Sequence, residues 1–501
     1  MVSFPHLFFI LFSVFFFCIV APVFPSYGKF TFTPTINNAY TDFLKLKAES
    51  GEKLINSSIK EDPQNGIAIY IANYGDIIRL LVSEDPALYE ALLDHEDKRM
   101  SLLSDLKEKS PYYLFTQAEV RLQWAFVKLK FGDEGSAFLD IKEAYDLLEK
   151  NKKLYPAFIP NKKSLGLLNI LIGSVPEKYS WIVSLIGMNG TVPDGMRMLD
   201  EVIAGSNTYK LEASILKTVA ETYILAKDEK DLSMVTNLTL DNPDNLLIAF
   251  LSSSVFLKNG KDEEALKILE TLPSSPAYLY IPFTEVMKGD ICLHKADYTA
   301  ARSCFQKFLK NYRGSNFIKD SYYKIFLCYY LNGQTELANP YIEKILESGE
   351  ELSDADKNAE KFARKKELPN KILMKARLYS DGGYYKEALD LLKEFQADKN
   401  TKPGDLIEYN YRQARIYHNM GVTEKAVPLY LRTIKLSHEY NDEKFYFAPN
   451  SALNLGYIYR KYNNNDMARQ YFTMALSYKN YEYKNSIDNK AKAALENLTK
   501  K

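Results

Sequence analysis

The sequence predicts an all-α protein, an α-α superhelix of stacked helix pairs preceded by an irregular helical region. Three observations predict it. Gly 22 and Pro 20 together fill roughly 8% of 501 residues, against ~12% in average globular chains, so long helices meet few breakers. Hydrophobic residues make up 46% of the chain and recur at helical spacing along most of it. In the second half, a small residue, an aromatic or apolar residue and an alanine return together six times. The length exceeds what one compact core holds. Lys+Arg 64 balance Asp+Glu 64, which removes the sequence-independent attraction a nucleic-acid binder relies on.

Residues 1–28 contain no Asp, Glu, Lys or Arg. Leu7 to Phe24 is an apolar stretch dense in Phe, followed by Pro25-Ser26-Tyr27-Gly28. This reads as a signal peptide cut before Lys29, with an uncleaved N-terminal membrane anchor as the rival because the basic n-region is missing. Either reading places the chain outside the cytosol, in a periplasm or cell envelope. Cys292, Cys304 and Cys328 then remain, too few for a disulfide framework, and they read as buried structural thiols.

Residues 29–245 form an α-helical amino-terminal region. Asn37–Ile59, Ile67–Val82 and Pro86–Lys109 carry helical apolar spacing, and residues 29–110 would cap one end of the array. Ala118, Leu122, Ala125, Gly132, Ala137, Ile141 and Ala144 form one repeat-like unit, about 111–150. Residues 164–190 are strongly apolar but interrupted at Pro176-Glu177-Lys178, and neither half reaches the ~20 residues of a membrane span. They read as a buried helical hairpin, with a membrane-surface or partner-docking wedge as the alternative.

Residues 246–501 carry the array and its terminal cap. Its last unit has Gly456, Tyr459, Ala468, Phe472 and Ala475; before it come Ala414, Tyr417, Gly421, Ala426 and Tyr430, and Ala376, Tyr379, Gly383, Ala388 and Leu392. Upstream stand Tyr329, Gly333, Ala338 and Ile342, then Gly289, Ala301, Phe305 and Phe308, then Phe256, Gly260, Ala265 and Leu269. The set resembles the tetratricopeptide repeat, an antiparallel helix pair with small residues at positions 8 and 20 where helices touch. The charged insertion Ser348–Lys371 reads as a solvated helix face, and Lys484–Leu498 as the terminal cap.

The order of parts also resembles the tetratricopeptide repeat protein 39 and yeast inclusion-body-clearance family. The likeness rests on the apolar segment, with Leu167-Leu168-Asn169-Ile170-Leu171 and Leu185-Ile186-Gly187, and on the ending Pro449-Asn450-Ser451-Ala452-Leu453-Asn454-Leu455 with Tyr478-Lys479-Asn480-Tyr481. It implies a helical binding protein without catalysis, some members being linked to lipid or inclusion-body handling. The export leader points to a bacterial envelope-type relative.

No phosphate loop, dinucleotide fingerprint, zinc-protease motif or nucleophile elbow occurs, and His 5 leaves few candidate bases or ligands. No catalytic residue, metal site or cofactor is expected. In this repeat the groove is lined by first-helix positions 2, 5, 9, 12 and 13. Counting from each position-20 alanine selects Arg377, Arg415, Tyr411, His418, Tyr457 and Arg460. Arg offers a planar donor fork for carboxylate or phosphate and Tyr adds amphipathic contact. The expected function is a non-catalytic protein–protein interaction scaffold of the cell envelope, binding an acidic or carboxylate-ended peptide. The alternatives are a membrane-associated protein using residues 1–28 or 164–190, and a hydrolase whose carboxylates assemble inside the superhelix.

Overall fold

The structure, a computed structural model, describes residues 28–175, 187–225, 232–273, 275–441 and 445–499. All of the expected leader, residues 1–28, except Gly28, and the middle of the apolar segment, residues 176–186, lie outside the described residues. Among the described residues the chain is helical throughout, with no extended strand.

The amino-terminal body contains α1 (Pro34–Leu44), α2 (Ala48–Glu61), α3 (Gly66–Ser83), α4 (Pro86–Leu92) and α5 (His95–Asp105). Asn37–Ile59 is therefore two helices, because Leu46 turns left-handed (φ 60) between them. Pro86–Lys109 likewise splits in two. Thr33, Asn65 and Ser110 cap α1, α3 and the helix that begins at Pro111 through their side-chain oxygens, as the sequence chemistry favours. Helix α3 is long and apolar enough to cross a membrane by length and composition, but most of it is buried inside this body. Helices α6 (Pro111–Lys130) and α7 (Glu134–Leu154) form the repeat-like unit, with Ala118, Ala125, Ala137 and Ala144 buried at their contacts.

Of the apolar segment, the structure describes residues 164–175 and 187–190, and the expected hairpin turn lies outside them. Helix α8 (Pro160–Gly173) pairs with α9 (Val192–Ala204). Two glycines permit this, since a Cβ built on Gly195 would lie 2.5 Å from the Gly166 carbonyl oxygen. Leu165, Leu167, Leu168 and Ile170 are buried in the process. Helix α10 (Lys210–Val219) continues into a π turn at Ala220–Ile224, and α11 (Ser233–Asp241) leads into the array.

The array begins with three pairs: α12 (Leu246–Lys258) with α13 (Asp262–Glu270), α14 (Phe283–His294) with α15 (Tyr298–Asn311), and α16 (Ile318–Leu331) with α17 (Thr335–Ala338) and α18 (Pro340–Glu347). Pro340 divides the last second helix because it removes a backbone donor. The insertion forms α19 (Asp354–Lys365). Three further pairs follow: α20 (Lys371–Asp381) with α21 (Tyr385–Leu392), α22 (Pro403–Asn419) with α23 (Thr423–Glu439), and α24 (Phe447–Lys461) with α25 (Asn465–Ser477), closed by α26 (Lys484–Thr499).

The repeat chemistry accounts for each pair. Ala265, Ala301, Ala338, Ala388, Ala426 and Ala468 are each 0% exposed. Gly289 and Gly456 face the rings of Phe305 and Phe472, where a Cβ would come within 2.6 and 2.5 Å. A larger side chain at these points would push the paired helices apart.

Two features depart from a single regular stack. First, the core crosses residue 245 without a break and runs from Phe30 to Leu378. Glu84, the left-handed cap of α3, accepts hydrogen bonds from Tyr312 (2.6 Å) and Asn316 (2.7 Å) of the array and pairs with Lys130 (2.9 Å). Second, α19 takes the place beside α16 and α18 that a next repeat would occupy, and α20 packs on α14 and α22 instead. The chain therefore doubles back after residue 366, and the second three pairs lie across the first-helix side of the first three. Most of the second stack has its own core, Ile407 to Ala494.

Candidate binding cleft

Because the second stack lies across the first, the first helices of both line one cleft. The first wall carries Asp290 on α14 and Asp320, Tyr323 and Lys324 on α16. The Lys324 ammonium lies 2.7 Å from a carboxylate oxygen of each aspartate, so one cation is shared by two carboxylates. Burial raises the Asp320 pKa, with Lys324 opposing.

The second wall is built by α20, α22 and the start of α24. Arg412 is fixed: its Nε (2.9 Å) and Nη2 (2.6 Å) donate to Glu408 Oε1, and its Nη1 donates to the Tyr446 hydroxyl at 3.2 Å. Its guanidinium also stands 5.5 Å from the centres of the Tyr411 and Phe447 rings. Arg377 is held only by a long contact, Nε to Asp381 Oδ2 at 3.4 Å, and keeps 42% of its side chain open. Arg415 has no carboxylate within ion-pair distance among the described residues, and its side chain is half-buried.

Tyr446 and Asp381 lie in the electrostatic reach of all three arginines. Burial works against the Arg377 charge, but Tyr446 and Asp381 outweigh it and the pKa ends raised. For Arg415 the Tyr411 hydroxyl is the largest influence, and the shift is again upward. Three guanidiniums against the two carboxylates of Asp381 and Glu408 leave one positive charge in excess on this wall, opposite the surplus aspartate of the first wall, whose Asp320 lies in the electrostatic reach of Arg377. Two of the three forks retain unused donors. Such a wall is suited to an oxyanion, which an arginine fork grips in a bidentate manner.

The residues selected from the sequence divide into two groups. Arg377 and Arg415 lie together in the cleft. Tyr411 backs them but is 2% exposed; it is a core residue, with its ring edge-on to Tyr446 and its hydroxyl accepting from Asn450 Nδ2 at 2.6 Å. His418 turns toward the second helix of its own pair, its Nδ1 3.1 Å from the buried Tyr430 hydroxyl. Tyr457 sets its ring edge against Phe472, and Arg460 stands 5.2 Å from the Tyr457 ring centre. A long aromatic side chain buries more surface between helices than in an open groove, which draws these rings inward. Sequence reasoning missed Arg412, Tyr446 and Tyr483. Arg412 was legible, since it shares a helix face with Arg415 three residues on. Tyr446 and Tyr483 lie outside the helices and carry no periodic signal.

A second polar cluster sits in the amino-terminal body. Lys163 Nζ lies 2.7 Å from Glu119 Oε2 and 2.7 Å from Glu212 Oε1, with all three side chains sealed from solvent. Ser164 donates to Glu119, Tyr40 donates to Glu212 (3.0 Å), and the Tyr70 and Tyr74 hydroxyls meet at 2.6 Å. Burial pushes the Glu212 carboxyl up to about 8, with Lys163 opposing. No solute reaches these atoms, so the cluster joins α1, α3, α6, α8 and α10 and offers no site to a hydrolase substrate. Among the described residues no group of His, Cys, Asp and Glu could hold a metal ion. Of the three thiols, Cys328 is buried, whereas Cys292 and Cys304 are partly exposed.

Fold and cleft together define an all-α solenoid of tetratricopeptide-type helix pairs. No protein-family model matches the chain. It is 21% identical over 404 residues to a TPR repeat-containing protein of Methanocaldococcus jannaschii, covering 80% of this chain and 63% of that protein. The chain thus spans less than two thirds of that relative's length. Among solved structures, it is similar to the P58(IPK) TPR domain (15% identity, 85% of this chain and 98% of that one, TM-score 0.21). Others are a human IFIT1 dimer with PPP-AAAA (14%, 94% and 93%, 0.25) and the APC/C hetero-tetramer Cut9-Hcn1 (11%, 93% and 96%, 0.25).

Proposed function

We propose that the chain is a non-catalytic scaffold that captures a protein partner through an acidic or carboxylate-bearing peptide segment seated on Arg377 and Arg415. The observation that carries this reading is the pair of guanidiniums with unused donors beside the fixed Arg412–Glu408–Tyr446 assembly. The free donors of these two forks favour an anionic ligand there. Arg377→Glu with Arg415→Glu should weaken capture of a Glu-rich peptide by about a hundredfold with helicity unchanged. Undiminished capture overturns the reading.

Export to the cell envelope is part of the proposal and rests on residues 1–28 alone. Cell fractionation, with amino-terminal sequencing that begins at Lys29 if the leader is cut, tests it. A lipid-binding role for residues 164–190 has less support, because Leu165, Leu167, Leu168 and Ile170 already pack inside the protein. Liposome flotation that is lost on Ile182→Asp would favour that role.

A further inference from the structure

We infer that the Glu482–Tyr483 turn is a built-in occupant of the cleft mouth, and that the partner displaces it with like chemistry, an acidic residue beside an aromatic one. This rests on the peptide-binding reading above and specifies its ligand.

Helix α19 forms one side of the mouth and is firmly fixed to the first stack. Ser353 caps it, and the buried Asp356 carboxylate accepts from the backbone N–H groups of Phe317 (2.7 Å) and Asp320 (3.0 Å). Glu360 pairs with Lys319 at 2.8 Å, both side chains nearly buried. Two residues flanking Glu360 on α19 reach the end of the second stack. Lys361 pairs with Glu482, and Asn358 Nδ2 donates to the Tyr483 hydroxyl at 3.1 Å. The Tyr483 ring stands edge-on to Tyr446, with centroids 5.3 Å apart, and Tyr446 carries the Arg412 contact. Tyr483 also lies in the electrostatic reach of Arg377. The chain's own connection thus sets a phenol within reach of Arg377 and, one residue before it, a carboxylate on Lys361 of α19.

This occupant is held weakly. Tyr483 is 43% exposed, and the Lys361 and Glu482 side chains are 43% and 33% exposed. Exposed ion pairs of this kind contribute little. Tyr483 also adopts a left-handed backbone (φ 62), a conformation that costs a bulky residue free energy and is relieved when the turn is released. The turn is therefore cheap to displace, whereas α19 and Arg412 are not. A partner offering a second acidic–aromatic pair would take over the same contacts and add the unused donors of Arg377 and Arg415.

The test uses the full chain and a fluorescein-labelled peptide of alternating Glu and Tyr, read by fluorescence anisotropy. Releasing the occupant with Glu482→Gln and Tyr483→Gly, the glycine suiting the positive φ, should tighten binding about tenfold. Adding Arg377→Glu and Arg415→Glu should abolish that gain, and an alternating Lys–Tyr peptide should show none. Tyr483→Phe, which removes only the hydroxyl from Asn358, serves if the double variant loses helicity; it should tighten binding about twofold. Affinity that ignores the turn yet falls with the two arginines overturns the inference and leaves the binding reading intact. A probe bound by no variant overturns both.

Discussion

Gly260 and Gly383 meet backbone to backbone: a Cβ built on Gly383 would lie 2.2 Å from the Gly260 carbonyl oxygen. Both glycines hold left-handed turns, at φ 62 and φ 88, the first between α12 and α13 and the second between α20 and α21. They mark where the second stack lies against the first. Around them Tyr384 donates to Glu263 at 3.0 Å, Lys295 pairs with Glu263 at 2.7 Å, and His294 Nδ1 lies 2.8 Å from Asp262 Oδ2.

Gly383→Ala should therefore destabilise the protein by about 1–3 kcal/mol, because it combines a disfavoured backbone with a collision against a carbonyl that is itself fixed. Urea denaturation measures the loss, and small-angle scattering should record the stacks moving apart. An unchanged midpoint would mean that the turns separate freely and that the cleft is not defined by this contact.

The same junction makes stability depend on pH. Burial works against His294 protonation, but Asp262 outweighs it, with Asp290 and Asp381 adding to the effect, and the pKa ends raised above 6.5. Tyr384, Glu263 and Lys295 pack on the same side. A raised histidine stabilises the fold fully below its unfolded pKa and loses that contribution as pH rises through the folded value. Asp262→Asn should thus cost more at pH 5.5 than at pH 9, as compared by denaturant midpoints. Equal cost at both pH values contradicts this.

Glu212 titrates with the same sign for a different reason. Its folded pKa of about 8 exceeds the ordinary 4.5, so folding favours the protonated form and stability falls as pH climbs from about 4.5 through about 8. Lys163, Glu119, Tyr40, Tyr74 and Tyr209 face it. Glu212→Gln keeps the shape and cannot ionise, so its stability should drop less than that of the natural protein between pH 6 and pH 9. A parallel loss in both proteins would place the titration elsewhere.

Glycines in this chain are not interchangeable. Gly456→Ala should destabilise by about 1–3 kcal/mol, since its Cβ would press on the Phe472 ring at 2.5 Å. Gly135 stands in the first turn of α7 with open space around it, and Gly135→Ala should stabilise by about 0.4–1 kcal/mol. Thermal unfolding of the two variants should shift in opposite directions, and a shared direction would undo the packing argument.

The pairing of helices was legible because its signals are local. Ala301 with Gly289 and Phe305, or Ala468 with Gly456 and Phe472, encode a close helix crossing within about one repeat length. Arg377 and Arg415 were legible for the same reason, as first-helix positions at fixed register from an alanine. Tyr411, His418 and Tyr457 were assigned to the groove by that register, yet their rings gain more by burial against Tyr446, Tyr430 and Phe472. Register fixes which way a Cβ leaves the helix, but the space available decides where a long ring settles.

What the sequence determined by itself is the helix content, the six pairs and the small residues at their crossings. What only the tertiary structure decided is that the array doubles back, that Asp320 and Tyr323 come within electrostatic reach of Arg377, and that Glu482 and Tyr483 stand at the mouth. Contacts that hold this arrangement join residues as far apart as 121 positions, between Tyr384 and Glu263, and 232, between Asn316 and Glu84. No periodicity reaches that far. They follow from the summed angles of many packed helices and from one inserted helix, α19, which occupies the surface where the next pair would otherwise have stacked.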